Sequence, residues 1–274
     1  MARVLAIANQ KGGVAKTTTV ASLGVALHEL GRRVLLVDLD PQSCLTFSLG
    51  LDPEALEISV HDVLLGRVGA GMAVQTVADG PDLLPATIEL AGAEASLLTR
   101  TGREYVLRTA LDDMLEAGAA YDHILLDSPP SLGVLTLNAL TAAHEVLIPL
   151  QCESLSHRGV GALLDTVHDV QRLTNRGLQV LGVLPTLFDA RTTHSREVLA
   201  DVAARYELPV LLPPIAKSVR FAEAPARGRS ALASAGRVRG VEAYREHARQ
   251  LAGLPSRPVE LTRTEQHALA EAVG

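Results

Sequence analysis

Several residue types are scarce in this chain, and their scarcity excludes some classes of function. Its 274 residues include no tryptophan, 3% aromatic residues and only two cysteines. Cys44 and Cys152 lie far apart and lack metal-binding spacing, so we expect neither a cysteine-based zinc site nor an iron–sulfur cluster. A reduced protein of the cytoplasm is the simplest interpretation.

Long apolar runs are also missing. No stretch approaches the roughly 18 uninterrupted apolar residues of a membrane-spanning helix. The first apolar run, residues 4–8, is shorter than the core of a signal peptide, so we expect no such signal and no membrane partner. Hydrophobic residues nevertheless make up 47% of the chain, which predicts a large core built from Ala, Val and Leu.

Lysine is scarce as well, and charge is unevenly distributed. The chain has three lysines, Lys11, Lys16 and Lys217, and its net charge of −6 argues weakly against nucleic acid. Residues 1–150 carry 9 basic and 18 acidic side chains, whereas residues 217–257 carry 9 basic and 3 acidic ones. A local excess of basic residues on an acidic protein indicates a surface patch.

Strand-like and helix-like periodicities alternate along the chain. We predict strands near 3–9, 33–38, 73–77, 82–85, 122–127, 144–150, 179–186 and 209–212. We predict helices near 16–30, 59–65, 88–98, 102–117, 132–142, 158–173, 195–206 and 239–251. This order predicts an α/β fold, with a mostly parallel twisted sheet, helices on both faces and an antiparallel edge hairpin at 73–85. We expect one domain over residues 1–254 and a C-terminal appendage over 255–274, for which a short helix is one option.

The segment after the first predicted strand has the composition of a phosphate-binding loop. Small residues let main-chain N–H groups approach phosphate oxygens, and a helix N-terminus follows. Predicted nucleotide contacts are Lys11, Gly12, Gly13, Val14, Ala15, Lys16, Thr17 and Thr18. Lys16 is expected at the β- and γ-phosphates, and the Thr17 hydroxyl at Mg²⁺.

This loop departs from the strict Walker A pattern, because Gln10 and Ala15 stand where that pattern has glycine. It does match the deviant form Lys-Gly-Gly-x-x-Lys-Thr. With this motif the sequence resembles the ParA/MinD family of P-loop ATPases (SIMIBI type), most closely the short Soj-like partition ATPases. If Ala15 has a positive φ, it costs about 1 kcal/mol, and we expect a tolerated variant with weaker nucleotide affinity.

The resemblance implies a role for the lysine at the loop entrance. In this family Lys11 would cross a dimer interface and touch the phosphates of ATP bound to the other subunit, as an arginine finger does. ATP and Mg²⁺ are therefore the expected cofactors, and an ATP-sandwich homodimer is the expected active unit. Lys11, Lys16 and Asp40 form the predicted catalytic set.

Aspartates end two of the predicted strands. Asp38 and Asp40 point the same way, because side chains alternate along a strand, and ligands bind at the carboxyl ends of parallel strands. Asp127 ends an apolar run in a Walker B pattern and is expected to hold Mg²⁺ through water. The resemblance implies that Asp40 activates the attacking water and that Asp38 supports the Mg²⁺ shell, making Thr17, Asp38 and Asp127 the predicted metal residues.

The adenine pocket is predicted from the resemblance alone. Family members place a strand end and a proline-bearing loop around the base, which here correspond to Phe188 and to Pro213 and Pro214. Phe188 fits an ordinary core position equally well.

The basic patch suggests that this ATPase binds DNA. Two segments, around 191–196 and 217–225, resemble regions that carry DNA-contacting residues in Soj-like ATPases. The predicted contacts to non-specific double-stranded DNA are Arg191, Arg196, Lys217, Arg220, Arg227, Arg229 and Arg249. The resemblance further implies a nucleoid-associated protein and a ParB-like centromere-binding partner that stimulates hydrolysis. The chain begins at the P-loop strand, so we expect no N-terminal operator-binding domain.

Three other functions use similar residues. A ParA-like ATPase can position a protein cargo by the same cycle. A MinD-like ATPase cycles on membranes, but residues 261–273 make a poor interfacial helix. A metabolic P-loop enzyme, such as a cobyrinate or biotin-pathway ligase, would need a substrate pocket with its own polar cluster, and the sequence shows none.

Overall fold

The computed structural model describes residues 2–78, 80–152, 156–189, 192–224, 226, 228–234 and 238–256. The predicted appendage therefore lies, apart from Pro255 and Ser256, outside the described residues. The proposed boundary after residue 254 stays a prediction.

The described residues form one mixed sheet at the centre of the molecule. Its strands are β1 (Arg3–Ile7), β2 (Val34–Asp38), β3 (Gln75–Thr76), β4 (Asp82–Leu84), β5 (His123–Asp127), β6 (Glu145–Gln151) and β7 (Gln179–Thr186). Their spatial order is β3-β4-β2-β5-β1-β6-β7, and only the edge pair β3–β4 is antiparallel. Both the parallel sheet and the antiparallel edge hairpin confirm the prediction.

Helices connect these strands. They are α1 (Lys16–Glu29), α2 (Cys44–Ser48), α3 (Val60–Leu64), α4 (Ala70–Ala73), α5 (Leu90–Leu97), α6 (Val106–Glu116), α7 (Val134–Ala142), α8 (Ser156–Leu173), α9 (Thr193–Tyr206), α10 (Val219–Glu223), α11 (Ala231–Ser234) and α12 (Arg239–Leu251). A single 3₁₀ turn, Arg103–Tyr105, precedes α6. The sequence predicted α3 but not α2, α4, α10 or α11; all five are only four or five residues long and show little of a helical period.

One predicted strand is reduced to an isolated bridge. Residues 209–212 form only a single bridge to β7, between Val210 and Val183, in which Val183 bonds to the Pro209 carbonyl and the Leu211 N–H. Pro209 and Pro213 flank this segment and lack an N–H group, so they cannot continue a ladder.

The core lies on both faces of the sheet. Along β2, Leu35 and Val37 face one apolar cluster, whereas Val34 and Leu36 face the other. This alternation follows from the two-residue period of a strand. Because both faces are covered, the central strands read as continuous apolar runs, which is typical of parallel sheets.

The register of the central strands prepares the site. Ile7 pairs with Asp127, and Asp38 pairs with the same Asp127 on its other side. The carboxyl ends of β1, β2 and β5 therefore lie level with one another. The loop after β1 and the two aspartates meet at one edge of the sheet, as the sequence predicted.

Candidate nucleotide site

The loop between β1 and α1 has a left-handed residue just before the helix. Ala15 has φ 65° and ψ 33° and is the N-cap of α1, and Gly13 has φ 76°. The sequence left open whether Ala15 has a positive φ, and the structure shows that it does. An alanine there costs about 1 kcal/mol relative to glycine.

Protein side chains and backbone fix the carbonyl groups of this loop. Thr186 at the end of β7 donates to the Val14 carbonyl at 3.0 Å, and Lys16 Nζ donates to the Lys11 carbonyl at 3.2 Å. The Ala15 carbonyl accepts from the Thr19 hydroxyl at 2.7 Å. In a trans peptide unit the C=O and N–H groups point in opposite directions. The N–H group that follows each of these carbonyls therefore points away from the hydrogen bond that the carbonyl makes. That side of the loop suits an anion.

The entrance lysine is held close to the sheet. Its N–H donates to Asn9 Oδ1 at 3.0 Å, and buried Asn9 donates to the Pro149 carbonyl at 2.7 Å. Gly159 of α8 lies alongside, since a Cβ there would come within 3.7 Å of Lys11 Cβ. Lys11 is half-buried in the isolated chain. Its predicted reach into a second subunit stays a prediction.

Asp38 is buried and held by three hydrogen bonds. The Thr46 N–H and hydroxyl donate to Asp38 Oδ2 at 2.9 and 2.8 Å, and the Asp40 N–H donates to Oδ1 at 3.1 Å. Burial raises the pKa of Asp38 to about 6, although these hydrogen bonds oppose the rise. Thr46 was not among the residues predicted from the sequence, where its only signal is a polar residue between the apolar Leu45 and Phe47.

Asp127 is buried without the hydrogen bonds that Asp38 has. Among the described residues, neither of its carboxylate oxygens has a hydrogen-bond partner. Burial, followed by the charge of Asp38, raises its pKa well above the usual range, while Thr17 and Lys16 oppose that rise. A buried carboxylate of this kind calls for a cation or its water shell.

The remaining donors fit Mg²⁺ rather than a protein-enclosed metal. In the described part of the chain, no group of three His, Cys, Asp or Glu side chains could hold a metal ion by itself. Mg²⁺ typically takes one or two carboxylates and completes its shell with water and phosphate oxygens. Asp127 and the neighbouring Thr17 fit that requirement.

Lys16 and Asp40 share the cleft above these carboxylates. Desolvation lowers the pKa of buried Lys16, while the charges of Asp127 and Asp40 act in the opposite direction. Asp40 is half-buried, and its Oδ1 accepts from the Gln42 N–H at 3.0 Å. Asp40 lines the cleft, which suits the role predicted for it.

The cleft has a volume of about 890 Å³ and three walls. One is the phosphate loop with the start of α1, from Gly12 to Ser22. The second includes Asp40 and Phe47 from the segment after β2. The third is formed by Lys217, by residues of α10 and by the stretch from Arg229 to Ala231 at the start of α11. A basic segment therefore forms part of the nucleotide cleft itself.

The structure places the side chains predicted at the adenine in the interior. Phe188 is 4% exposed and packs in the core, and it forms a single parallel bridge to Ala216. Pro213 and Pro214 are buried as well, and the Pro213 carbonyl accepts from His247 Nε2 at 2.8 Å. Their neighbours Leu187 and Ile215 line the cleft instead. The adenine contacts of Phe188, Pro213 and Pro214 stay a prediction.

The predicted DNA contacts fall into several environments. Arg191 and Arg227 lie outside the described residues. Lys217 and Arg229 are exposed on the cleft wall. Arg220 is exposed on α10 and pairs with Glu223 at 3.2 Å.

The other two predicted contacts are partly used within the protein. Arg196 is half-buried on α9. Arg249 donates twice to the Pro255 carbonyl, at 3.0 and 2.7 Å, so its guanidinium already holds the chain after α12.

One basic residue of the stretch 217–257 is paired within the protein. Arg245 forms a two-pronged ion pair with Glu29 of α1, at 2.8 and 3.0 Å, and a third bond to Glu242. These partners raise the pKa of Arg245. It fastens α12 to α1 and is therefore not available as a phosphate contact.

The structure bears on one further question, that of a membrane span. Among the described residues, none of the helices combines the length and the apolar character needed to cross a bilayer.

Comparisons with known proteins agree with this geometry. A family model described as an AAA domain matches residues 2–180. The sporulation initiation inhibitor protein Soj of Bacillus subtilis is 42% identical over 92% of this chain and 99% of its own. The chromosome partitioning protein ParA of Caulobacter vibrioides is 42% identical over 91% of this chain and 93% of its own.

A solved structure is similar over nearly the whole chain. It is described as cobyrinic acid a,c-diamide synthase from Mycobacterium smegmatis with bound ADP and magnesium. Its sequence is 56% identical, the TM-score is 0.82, and the match covers 96% of this chain and all of the other. The same protein has also been solved with an ATP analogue and magnesium.

Proposed function

The chain belongs to the ParA/MinD family of P-loop ATPases, and from that premise we propose that it is a DNA-partition ATPase. ATP closes two subunits face to face, and the closed dimer binds double-stranded DNA without sequence preference. A ParB-like partner stimulates ATP hydrolysis, which releases the dimer from the DNA. The protein acts in the cytoplasm, on the nucleoid.

The site residues divide the chemistry of ATP hydrolysis among them. Lys16 binds the β- and γ-phosphates, and Thr17 and Asp127 hold Mg²⁺, with Asp38 behind them. Mg²⁺ neutralises charge on the phosphate oxygens. Asp40 orients the attacking water and accepts its proton. Lys11 of the partner subunit supplies the last positive charge, so turnover requires the dimer.

The observation that carries the DNA role is the basic wall of the nucleotide cleft. Lys217 and Arg229 line the space beside the phosphate loop, and exposed Arg220 follows on α10. A ligand that occupies the cleft therefore touches the segment that carries the basic residues. This arrangement suits a surface whose affinity for DNA depends on ATP.

The DNA contacts stay proposals of unequal weight. Arg220 and Lys217 are exposed and carry the proposal best. The other candidates are Arg191, Arg196, Arg227, Arg229 and Arg249. Contacts of this kind attach to phosphate and read no sequence.

DNA co-sedimentation with ATP, ADP and no nucleotide tests this function. We expect binding only with ATP, and we expect Arg220→Ala to lose DNA while keeping nucleotide. Arg172→Ala is a matched control, because Arg172 is exposed and pairs at i,i+3 with Asp169 as Arg220 does with Glu223. Equal binding in all three nucleotide states would contradict the proposal.

A second candidate is a cobyrinate-type amide ligase, which the solved structure from Mycobacterium smegmatis favours. A ligase uses the same ATP site but must also seat a macrocyclic carboxylic acid next to the γ-phosphate. Ligand pockets usually measure roughly 300–1,000 Å³. The cleft, at about 890 Å³, suits one nucleotide better than a nucleotide together with a macrocycle.

Substrate-dependent turnover separates the two candidates. A ligase forms ADP faster when a corrin carboxylic acid and an ammonia donor are supplied, and it produces an amide. A partition ATPase forms ADP faster when DNA and a ParB-like protein are supplied. Amide formation by the purified protein would replace the first proposal with the second.

A further inference from the structure

A buried tyrosine joins the phosphate loop to the basic segment. Tyr244 lies in α12 and is fully buried. Its hydroxyl is 2.9 Å from Thr19 Oγ1, across 225 residues of sequence. Thr19 lies one turn into α1, and its hydroxyl is also bonded to the Ala15 carbonyl. Ala15 is the left-handed residue that ends the loop.

The directions of these hydrogen bonds follow from their chemistry. A carbonyl oxygen can only accept, so the single hydroxyl hydrogen of Thr19 goes to Ala15. The Tyr244 hydroxyl must then donate to Thr19. Tyr244 is thus the outer donor of a two-step chain that ends on the phosphate loop.

The ring of the same tyrosine supports α10. Tyr244 and Phe221 pack edge to face, with ring centres 5.7 Å apart and an angle of 85°. Gly240, one turn before Tyr244, lets α12 approach this helix. A Cβ at Gly240 would come within 2.7 Å of the Phe221 ring and 3.3 Å of the Ala216 carbonyl. Phe221 directly follows Arg220, so the aromatic pair anchors the helix that carries this exposed basic residue.

We propose that Tyr244 is a positioning residue that couples nucleotide binding at the loop to the placement of α10. This inference rests on the DNA role proposed above. A displacement of Ala15 is passed to Thr19 through a hydrogen bond and then to Tyr244 inside a close-packed core. Such a core transmits small shifts because it has little free volume to absorb them. The Phe221 contact passes the shift to Arg220.

The affinity for DNA under two nucleotide states tests the coupling. The full chain is saturated with a non-hydrolysable ATP analogue or with ADP, and the ratio of the two DNA affinities is measured. Tyr244→Phe keeps the ring and removes only the hydroxyl. We expect the ratio to fall by about 5- to 10-fold, the lower part of the usual range for coupling between sites.

Tyr121→Phe is the matched control. The Tyr121 hydroxyl donates to Asp82 at 2.8 Å, at the edge of the sheet and away from the cleft. Its loss removes a comparable hydrogen bond, and we expect the ratio to stay at the wild-type value. If Tyr244→Phe fails to fold, Phe221→Leu tests the same path from the other end, and we expect the same fall in the ratio.

A wild-type ratio in Tyr244→Phe would overturn the inference. So would an equal loss of DNA affinity in both nucleotide states, because that marks a merely structural role.

Hydrogen–deuterium exchange of residues 218–224 provides a readout that needs no DNA. We expect exchange there to differ between the ATP analogue and ADP in the wild type, and not in Tyr244→Phe. If wild-type DNA binding proves independent of nucleotide, the partition role fails. The exchange difference then tests by itself whether Tyr244 couples the phosphate loop to α10. Its presence in both proteins would reject the coupling.

Discussion

Replacing Asp127 by asparagine is expected to stabilise the nucleotide-free protein while removing its response to magnesium. Asp127 is fully buried, and neither carboxylate oxygen has a hydrogen-bond partner among the described residues. Burial and the nearby Asp38 raise its pKa well above the usual range, so folding disfavours its charged form. Asparagine has nearly the same shape and no charge.

The size of the gain follows from the extra cost of burying a charge, because asparagine also leaves a buried polar group at this position. An unpaired buried polar group costs about 1–3 kcal/mol and a charged one more, and the variant removes only the difference. A net gain of about 2 kcal/mol would raise Tm by roughly 4–8 °C in a chain of this size. Lys16 reduces the gain, because it loses one opposing charge, but it still faces the charge of Asp40.

The gain depends on pH in a defined direction. Below pH 3.8, the ordinary pKa of an aspartate, Asp127 is protonated in both the folded and the unfolded chain, so folding buries no charge there. Because the folded-state pKa is raised, the penalty grows as pH rises from that value to the folded-state pKa and is complete above it. Asp38 follows the same rule between 3.8 and about 6. The Tm difference between Asp127→Asn and wild type should therefore be larger at about pH 8 than at about pH 5.

Thermal unfolding with ADP, in the presence and absence of Mg²⁺, completes the assay. A ligand that binds only the folded state raises Tm, so wild type should gain from Mg²⁺ and Asp127→Asn should not. Asp112→Asn is the control, since Asp112 is exposed on α6, and it should change neither result. A lower Tm of Asp127→Asn without nucleotide at every pH would refute the reasoning, because the carboxylate would then contribute net stability.

Four further variants test the remaining roles. Asp40→Ala should lower kcat at least about 100-fold in a phosphate-release assay and keep ATP-dependent DNA binding; near-normal turnover would remove Asp40 from the catalytic set. Lys11→Ala should stay monomeric in light scattering with a non-hydrolysable analogue, whereas a dimer as strong as wild type would disprove the shared site. Arg220→Ala should reduce the slope of log affinity for DNA against log salt by about 0.9, and an unchanged slope would mean that it touches no phosphate. Ala15→Gly should relieve the left-handed φ and tighten ATP binding by up to about fivefold, measured by calorimetry; weaker binding would show that the methyl group helps to hold the nucleotide.

Features encoded in adjacent residues could be predicted from the sequence. The phosphate loop is one unbroken segment, and its need for a left-handed residue at Ala15 follows from the motif. Asp38 and Asp127 could be assigned to neighbouring strand ends because apolar runs mark the strands and parallel strands end at one edge. The sheet and its edge hairpin followed from the same periodicity.

Side-chain orientation within a loop could not be predicted in this way. Phe188 and Leu187 are adjacent, and only the packed structure shows that Phe188 enters the core while Leu187 faces the cleft. Leu187 has a positive φ of 50°, so the chain turns at this point. An apolar residue in a short segment carries no signal for which side will be buried.

Long-range partners were equally beyond the sequence. Arg245 counts as one positive charge in a basic stretch, yet the fold places it against Glu29, which is 216 residues away. Thr19 and Tyr244 likewise meet only because α12 packs on α1. The sequence alone determined the ATP-binding chemistry, since its residues are contiguous or end regular strands. Tertiary packing decided which charges face solvent and how the basic segment reaches the cleft, because those contacts exist only once distant helices share a core.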